Sequence, residues 1–384
     1  MESSLQKRAV RNSSLELLKI IAMMFIVLSH LVQSLTSANY DSAMCMPTND
    51  FIFKVGMATP SIRKLLITLI SYSGHFGNSI FFVCSAWFLV DSKRFNKKKW
   101  LTLLINVWLV SMLFLAVTIV FYDGEIPKKL FVHSFFPTFF ANNWYLTCYL
   151  IFYPVHHLIN RCIDSLNQRQ HLFFALAMFV MYSVLGMIEK QFFWAYPIIW
   201  LMYYVIVAYV KKYLPDISNN VKYNFLLFVF AALGNIALIL AADYIGLKTD
   251  FGHTNLLKWH MMSNPFFILS SISLFNIFRN FSFKSKPINY VSSLLMFVYL
   301  VHENSLVVKL YRPYMWIYVH DNFGYRHIVF WAFALGLILY AISLIIAAFY
   351  KQTFAKLVDY GVGKSYPVIA KLYHKFETLL LRIH

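Results

Sequence analysis

Residues 15–30 read LELLKIIAMMFIVLSH and are apolar apart from Glu16, Lys19, Ser29 and His30. The run continues to about residue 36, close to the ~20 residues a helix needs to cross a bilayer. Nine similar runs follow, at roughly 65–91, 101–122, 143–160, 172–188, 192–210, 225–245, 259–278, 288–308 and 329–350. The 384 residues are 60% hydrophobic and 13% charged, with mean hydropathy +0.60. Soluble domains carry charge on about a quarter of their residues. The expectation is an all-α, polytopic integral membrane bundle of about ten transmembrane helices, with residues 1–350 as the membrane domain.

The net charge of +18 belongs to topology rather than to nucleic-acid binding. With the N-terminus inside, the cytoplasmic segments hold twice as many Lys and Arg as the outer ones. By the positive-inside rule both termini are cytoplasmic. Residues 351–384 mix Lys and Arg with Tyr, Leu, Ile and Phe, which suits a basic amphipathic cytoplasmic tail. Cys45, Cys84, Cys148 and Cys162 show no C-x-x-C spacing, so neither a disulfide framework nor a metal site is expected. The apolar run behind the basic N-terminus is followed by no small-residue cleavage site and reads as a retained first helix.

The first helix carries the chemistry. Ser13 and Glu16 have capping-box spacing, which competes with a direct role for Glu16. Eleven residues separate Lys19 from His30, about three turns plus 20°, so both lie on one face some ~16 Å apart along the axis. Ionisable groups inside a spanning helix usually face the bundle interior or a water-filled path. Snorkelling of Lys19 and simple interhelical bonding of His30 are the bland alternatives. An imidazole can take a proton from a hydroxyl and return it, and an amine can hold a phosphate. The pair suits an acyl donor entering from the cytoplasm and an acceptor arriving from the other side.

Arg11, Glu16, Lys19 and His30 form a pattern that resembles the opening of acyltransferase family 3, integral membrane O-acyltransferases of cell-surface glycans. Four further segments follow in order. FFVCSAWF (81–88) resembles the family's F-F-x-x-S-G-[YF]-[FL], with Ala86 at the usual glycine. A basic cluster, Lys93, Arg94 and Lys97 to Lys99, stands where arginines are usual. Trp144-Tyr145-Leu146 matches W-[YF]-L, with neutral Tyr149 where an acidic residue often follows. Tyr299-Leu300-Val301-His302 is similar to the late Y-L-x-H.

The resemblance implies acetyl-coenzyme A, or another acyl-coenzyme A, as donor substrate, and no metal. Lys19, Lys93, Arg94, Lys97 and Lys98 are the expected donor-binding cations, and Ser85 and Asn78 the polar groups of the donor channel. His30 is the expected base or acyl relay, with Glu16 and His302 as further catalytic candidates and Glu303 placed to orient a histidine. The acceptor is a hydroxyl of a cell-surface or cell-wall polysaccharide or lipid-linked glycan, and the setting a bacterial plasma membrane. Self-association into a homo-oligomer stays open. The competing reading is a polytopic transporter or flippase using Lys19 and His30 for anion binding or proton coupling; no matched pair of interrupted helices supports inverted repeats.

Overall fold

The computed structural model describes residues 12–33, 61–93, 95–188, 196–246, 259, 261–323 and 327–381. They are helical, and no strand occurs among them. The order begins α1 (Ser13–Val32), α2 (Ile62–Leu89), α3 (Lys97–Phe121), α4 (Lys128–Phe135) and α5 (Trp144–Ser165). Next come α6 (Gln168–Phe179), α7 (Tyr196–Tyr213), α8 (Pro215–Asn219), α9 (Val221–Gly246) and α10 (Pro265–Asn280). The chain closes with α11 (Lys286–Ser292), α12 (Leu295–His302), α13 (Arg312–Phe323), α14 (Ile328–Gln352) and α15 (Phe354–Leu381).

Helices stand at all ten apolar segments, but six among the described residues are long and apolar enough to cross a membrane. These follow α1, α2, α3, α6 with its short π and 3₁₀ extension, α9, and α14 running into α15. A seventh is reached if the pair Lys286–His302 and Val307–Phe323, bent by 61°, is one span. The shortfall has local causes. α10 has 16 residues, below the length that spans a hydrocarbon core. α5 and α7 are long enough but diluted, α5 by His156, His157 and Arg161 and α7 by Lys211 and Lys212.

α1 occupies the centre, in contact with α2, α10, α11, α12 and α14. Glycines let α2 approach it closely: a Cβ at Gly74 would lie 2.6 Å from Ser29 Oγ, and one at Gly77 would lie 2.5 Å from the Ala22 carbonyl oxygen. Small residues at helix interfaces permit such backbone approach in membranes. Polar groups then bond across the seam. Ser73 Oγ donates to the Phe25 carbonyl at 3.0 Å, and Ser29 Oγ donates to that of Ser71.

The expected capping box is corrected at the start of α1. Asn12 is the N-cap, its side chain accepting from Ser14 N at 3.0 Å. Ser13 is drawn instead into tertiary contacts, donating to Asn289 Oδ1 at 3.0 Å and accepting from Ser285 N at 2.8 Å. Glu16 turns its carboxylate to Lys19 Nζ at 2.7 Å and accepts from Ser292 Oγ.

Candidate active site

The last carbonyls of an α-helix have no intrahelical partner, and at the end of α1 two side chains of α13 supply one. Trp316 Nε1 donates to Leu31 O at 2.8 Å, and Arg312 Nη1 donates to His30 O at 2.8 Å. Arg312 reaches this point because the chain breaks after α12. Glu303 and Asn304 leave the helix, a π-helical turn covers Val307–Tyr311, and the two arms meet at 61°. Nη2 of Arg312 therefore folds back onto His302 O at 2.8 Å and Glu303 Oε1 at 2.8 Å. In a straight helix Arg312 would stand ~13 Å beyond Glu303.

His30 and His302, 272 residues apart, meet inside this clamp. His30 Nδ1 lies 3.0 Å from Glu303 Oε1 and 3.2 Å from His302 Nε2. His302 Nδ1 donates to the Val298 carbonyl at 2.7 Å. A carbonyl only accepts, so Nδ1 of His302 carries the proton and Nε2 of the neutral ring is an acceptor. Both groups facing His30 Nδ1 are then acceptors, which places a proton on that nitrogen. Nε2 of neutral His30 is left with the lone pair. A carboxylate holding Nδ1–H while Nε2 gains and loses a proton is the orientation used by triad histidines. His302 is fully buried, Arg312 is 2% exposed and His30 9%. In such low-dielectric surroundings the Glu303–Arg312 pair is balanced, and Glu303 stabilises the imidazolium when His30 takes a proton.

His30 Nδ1, His302 Nε2 and Glu303 Oε1 lie within 4.8 Å of one another, a spacing that can hold a cation. Arg312 already places a positive charge on the Glu303 oxygen. The donor set does not favour a second cation.

A cavity of about 440 Å³ leads towards this cluster. Its walls explain several sequence features at once. α1 contributes Lys19, Met23 and Ile26, the last one helical turn before His30. α2 contributes Asn78, Phe81 and Ser85. α5 contributes Tyr145, Tyr149 and Tyr153, spaced four residues apart and hence on one face. Tyr149 and Tyr153 stack with centroids 5.4 Å apart, and Ser85 Oγ lies 3.4 Å from Tyr145 Oη. Pro154 lies within α5 and has no N–H for the Leu150 carbonyl. Trp100 Nε1, from another wall of the cavity, donates to that carbonyl at 2.8 Å. At the far end stands Tyr299, its ring edge-on to His302 with centroids 5.8 Å apart.

The structure thus gathers Lys19, Ser85 and Asn78 around one cavity, and pairs His30 with His302 behind Tyr299, a residue of its lining. Glu16 belongs to the opposite end with Lys19, fourteen residues and ~21 Å of helix from His30. Lys97 and Lys98 sit in the first turn of α3 without lining the cavity, whereas Lys99 lines it. Lys93 faces a second cavity of about 620 Å³ with His157, Arg161, Lys211 and Lys212. There Lys211 pairs with Asp91 at 2.5 Å and Lys212 with Asp164 at 3.5 Å. Arg94 lies outside the described residues.

Arg312 is the residue that sequence reasoning misses. It looks like one more basic residue on the outer side, and only the break after α12 shows otherwise. A Glu303 needing a cation is the signal that points to it.

Neither the curated proteins nor the solved structures give a match to the chain. The family model described as an acyltransferase domain matches residues 12–350, a range that takes in the cavity, both histidines, Glu303 and Arg312. The chain is a membrane acyltransferase and belongs to acyltransferase family 3.

Proposed function

We propose that the protein transfers an acyl group, acetyl in the simplest case, from cytoplasmic acyl-coenzyme A to a hydroxyl of a cell-surface polysaccharide or lipid-linked glycan. The observation that carries this reading is that the cavity lined by Lys19 is also lined by Tyr299, whose ring packs on His302 of the His30 cluster. Its volume of about 440 Å³ lies within the ~300–1,000 Å³ typical of small-molecule sites. A cation at one end and an aromatic, mostly apolar wall suit a phosphorylated donor with a thin, flexible arm. In this reading ten helices cross a bacterial plasma membrane, the short and bent ones included, with both termini cytoplasmic. The lipid bilayer, the donor and the glycan are the partners.

Each side chain then has one task. Lys19, held in place by Glu16, whose carboxylate accepts from Ser292, meets an anionic group of the donor. Ser85 and Asn78 offer polar contacts along the arm. His30 Nε2 takes the proton of the attacking acceptor hydroxyl and passes it to the departing thiolate. Glu303 holds the His30 tautomer, and Arg312 and His302 hold Glu303 and the ring in register.

The test is release of free coenzyme A by the purified, reconstituted protein given labelled acetyl-coenzyme A, with and without cell-wall glycan. Release and label transfer that require the glycan are expected. Lys19→Gln is expected to raise the donor KM about tenfold, the equivalent of ~1.4 kcal/mol, with kcat within about threefold. Donor turnover that ignores the glycan, or a Lys19→Gln protein with an unchanged KM, runs against the reading.

A further inference from the structure

Buried polar atoms in folded proteins are nearly always hydrogen-bonded, and an exception asks for a reason. Among the described residues lining the Lys19 cavity, the Tyr299 hydroxyl is the one fully buried side-chain polar atom with no hydrogen-bond partner. Tyr299 is 4% exposed. Its oxygen faces the backbone amide of Tyr145 in the open first turn of α5. An amide N–H can only donate, so the phenolic proton still lacks an acceptor. The neighbouring cavity hydroxyls of Ser85 and Tyr145 already face each other. Leaving a buried donor unmade is costly, and the fold carries that cost at a cavity-lining ring packed on His302.

Position gives the unused donor a meaning. The Tyr299 ring packs edge-on to His302 at 5.8 Å and edge-on to Tyr145 at 6.3 Å, so both neighbours fix its direction. Tyr299 lines the same cavity as Lys19 and packs on His302, so its side chain stands between the cavity and the histidine pair. We propose that Tyr299 Oη donates a hydrogen bond to the carbonyl oxygen of the donor thioester and is a catalytic residue of the transfer, serving as the oxyanion donor. The proposal rests on the acyl-donor reading of the cavity.

The step balances with the groups named. The acceptor oxygen attacks the thioester carbon while His30 Nε2 removes its proton. The C=O electron pair moves onto the carbonyl oxygen, where the Tyr299 O–H receives it. On collapse the C–S bond breaks, and the thiolate takes the proton from the His30 imidazolium. The products are the acylated hydroxyl and free coenzyme A. Tyr299 is unchanged, because it donates a hydrogen bond and no proton leaves it.

Tyr299→Phe keeps the ring and deletes the donor. Removal of one oxyanion donor typically lowers kcat about 10²–10³-fold, and that loss is expected here with donor KM within about twofold. Tyr340→Phe is the control. Tyr340 also has a buried hydroxyl with no partner, but it lies on α14 and does not line the cavity. Its variant should turn over like the wild type. Kinetics are read on reconstituted full-length protein with labelled acetyl-coenzyme A and glycan, alongside His30→Ala. If the wild type is active, His30→Ala is dead and Tyr299→Phe stays within threefold of wild type, Tyr299 is overturned while the donor reading stands. A Tyr340→Phe protein as impaired as Tyr299→Phe also overturns it, because losing any buried hydroxyl would then suffice. If the wild type transfers no acyl group from any acyl-coenzyme A, the reading fails and the proposal goes with it.

Discussion

Replacement of His30 by alanine is expected to lower acyl transfer by about two to four orders of magnitude, the range for loss of a general base. Donor affinity is expected to stay within about twofold of wild type, since the side chains that line the donor cavity, Lys19, Ser85 and Asn78 among them, are untouched. The fold is expected to persist. Alanine removes a ring that is 9% exposed but leaves the His30 carbonyl, which Arg312 Nη1 binds at 2.8 Å. Glu303 keeps Arg312 as its partner. The check is steady-state turnover beside equilibrium binding of labelled acetyl-coenzyme A. Wild-type kcat in the alanine variant would remove His30 from the chemistry. Lost binding with intact turnover per bound donor would move it to the donor site.

Arg312 is expected to dominate the stability of the site. The Arg312 residue is 2% exposed, and its guanidinium bonds two carbonyls and one carboxylate from two distant points of the chain, His30 and the adjacent His302 and Glu303. Removing one partner of a buried ion pair strands the other and costs about 3–5 kcal/mol. Arg312→Met is therefore expected to lower the melting temperature sharply in detergent or nanodiscs. The double variant Arg312→Met, Glu303→Met removes both charges and is expected to recover most of that loss, because the stranded carboxylate is gone. It is also expected to remain inactive, since nothing then holds the His30 Nδ1 proton. A single variant as stable as wild type would mean that Glu303 is neutral or solvated. Recovery of activity in the double variant would show that the Glu303–His30 contact is dispensable.

The helical class and the helix that carries Lys19 and His30 are legible in the sequence, because both rest on short-range patterns. Lys19 and His30 are eleven residues apart on one face, and the structure sets Lys19 in the cavity wall and His30 on His302, behind the cavity-lining Tyr299. Ser85 and Asn78 were legible for the same reason, both lying on the cavity face of α2. The adjacent ionisable pair His302-Glu303 pointed to a partner histidine, and Glu303 orients His30 at 3.0 Å. Long-range and irregular features were not legible. Arg312 acquires its role through a 61° bend and a π-helical turn, neither of which has a hydropathy pattern. Ser13 had the spacing of a cap, yet Ser285 and Asn289, more than 270 residues on, claimed its hydroxyl. The lysine cluster at 97–99 could not be resolved by type, since only Lys99 turns to the cavity. All three sit in the first turn of α3, where the helix dipole disfavours cations, so local propensity is not what keeps them there.

The central claim is that the cavity carries the acyl donor to His30. Its most direct test is a cryo-EM map of the wild-type protein in nanodiscs with an acetyl-coenzyme A analogue whose thioester sulfur is replaced by a methylene. The account predicts density for the donor arm along Lys19, Ser85 and Tyr145, with the analogue's carbonyl oxygen against Tyr299 Oη and its carbonyl carbon beside His30 Nε2. Analogue bound only at the Lys93 cavity, or a Lys19 cavity filled by lipid while the analogue binds elsewhere, would contradict it.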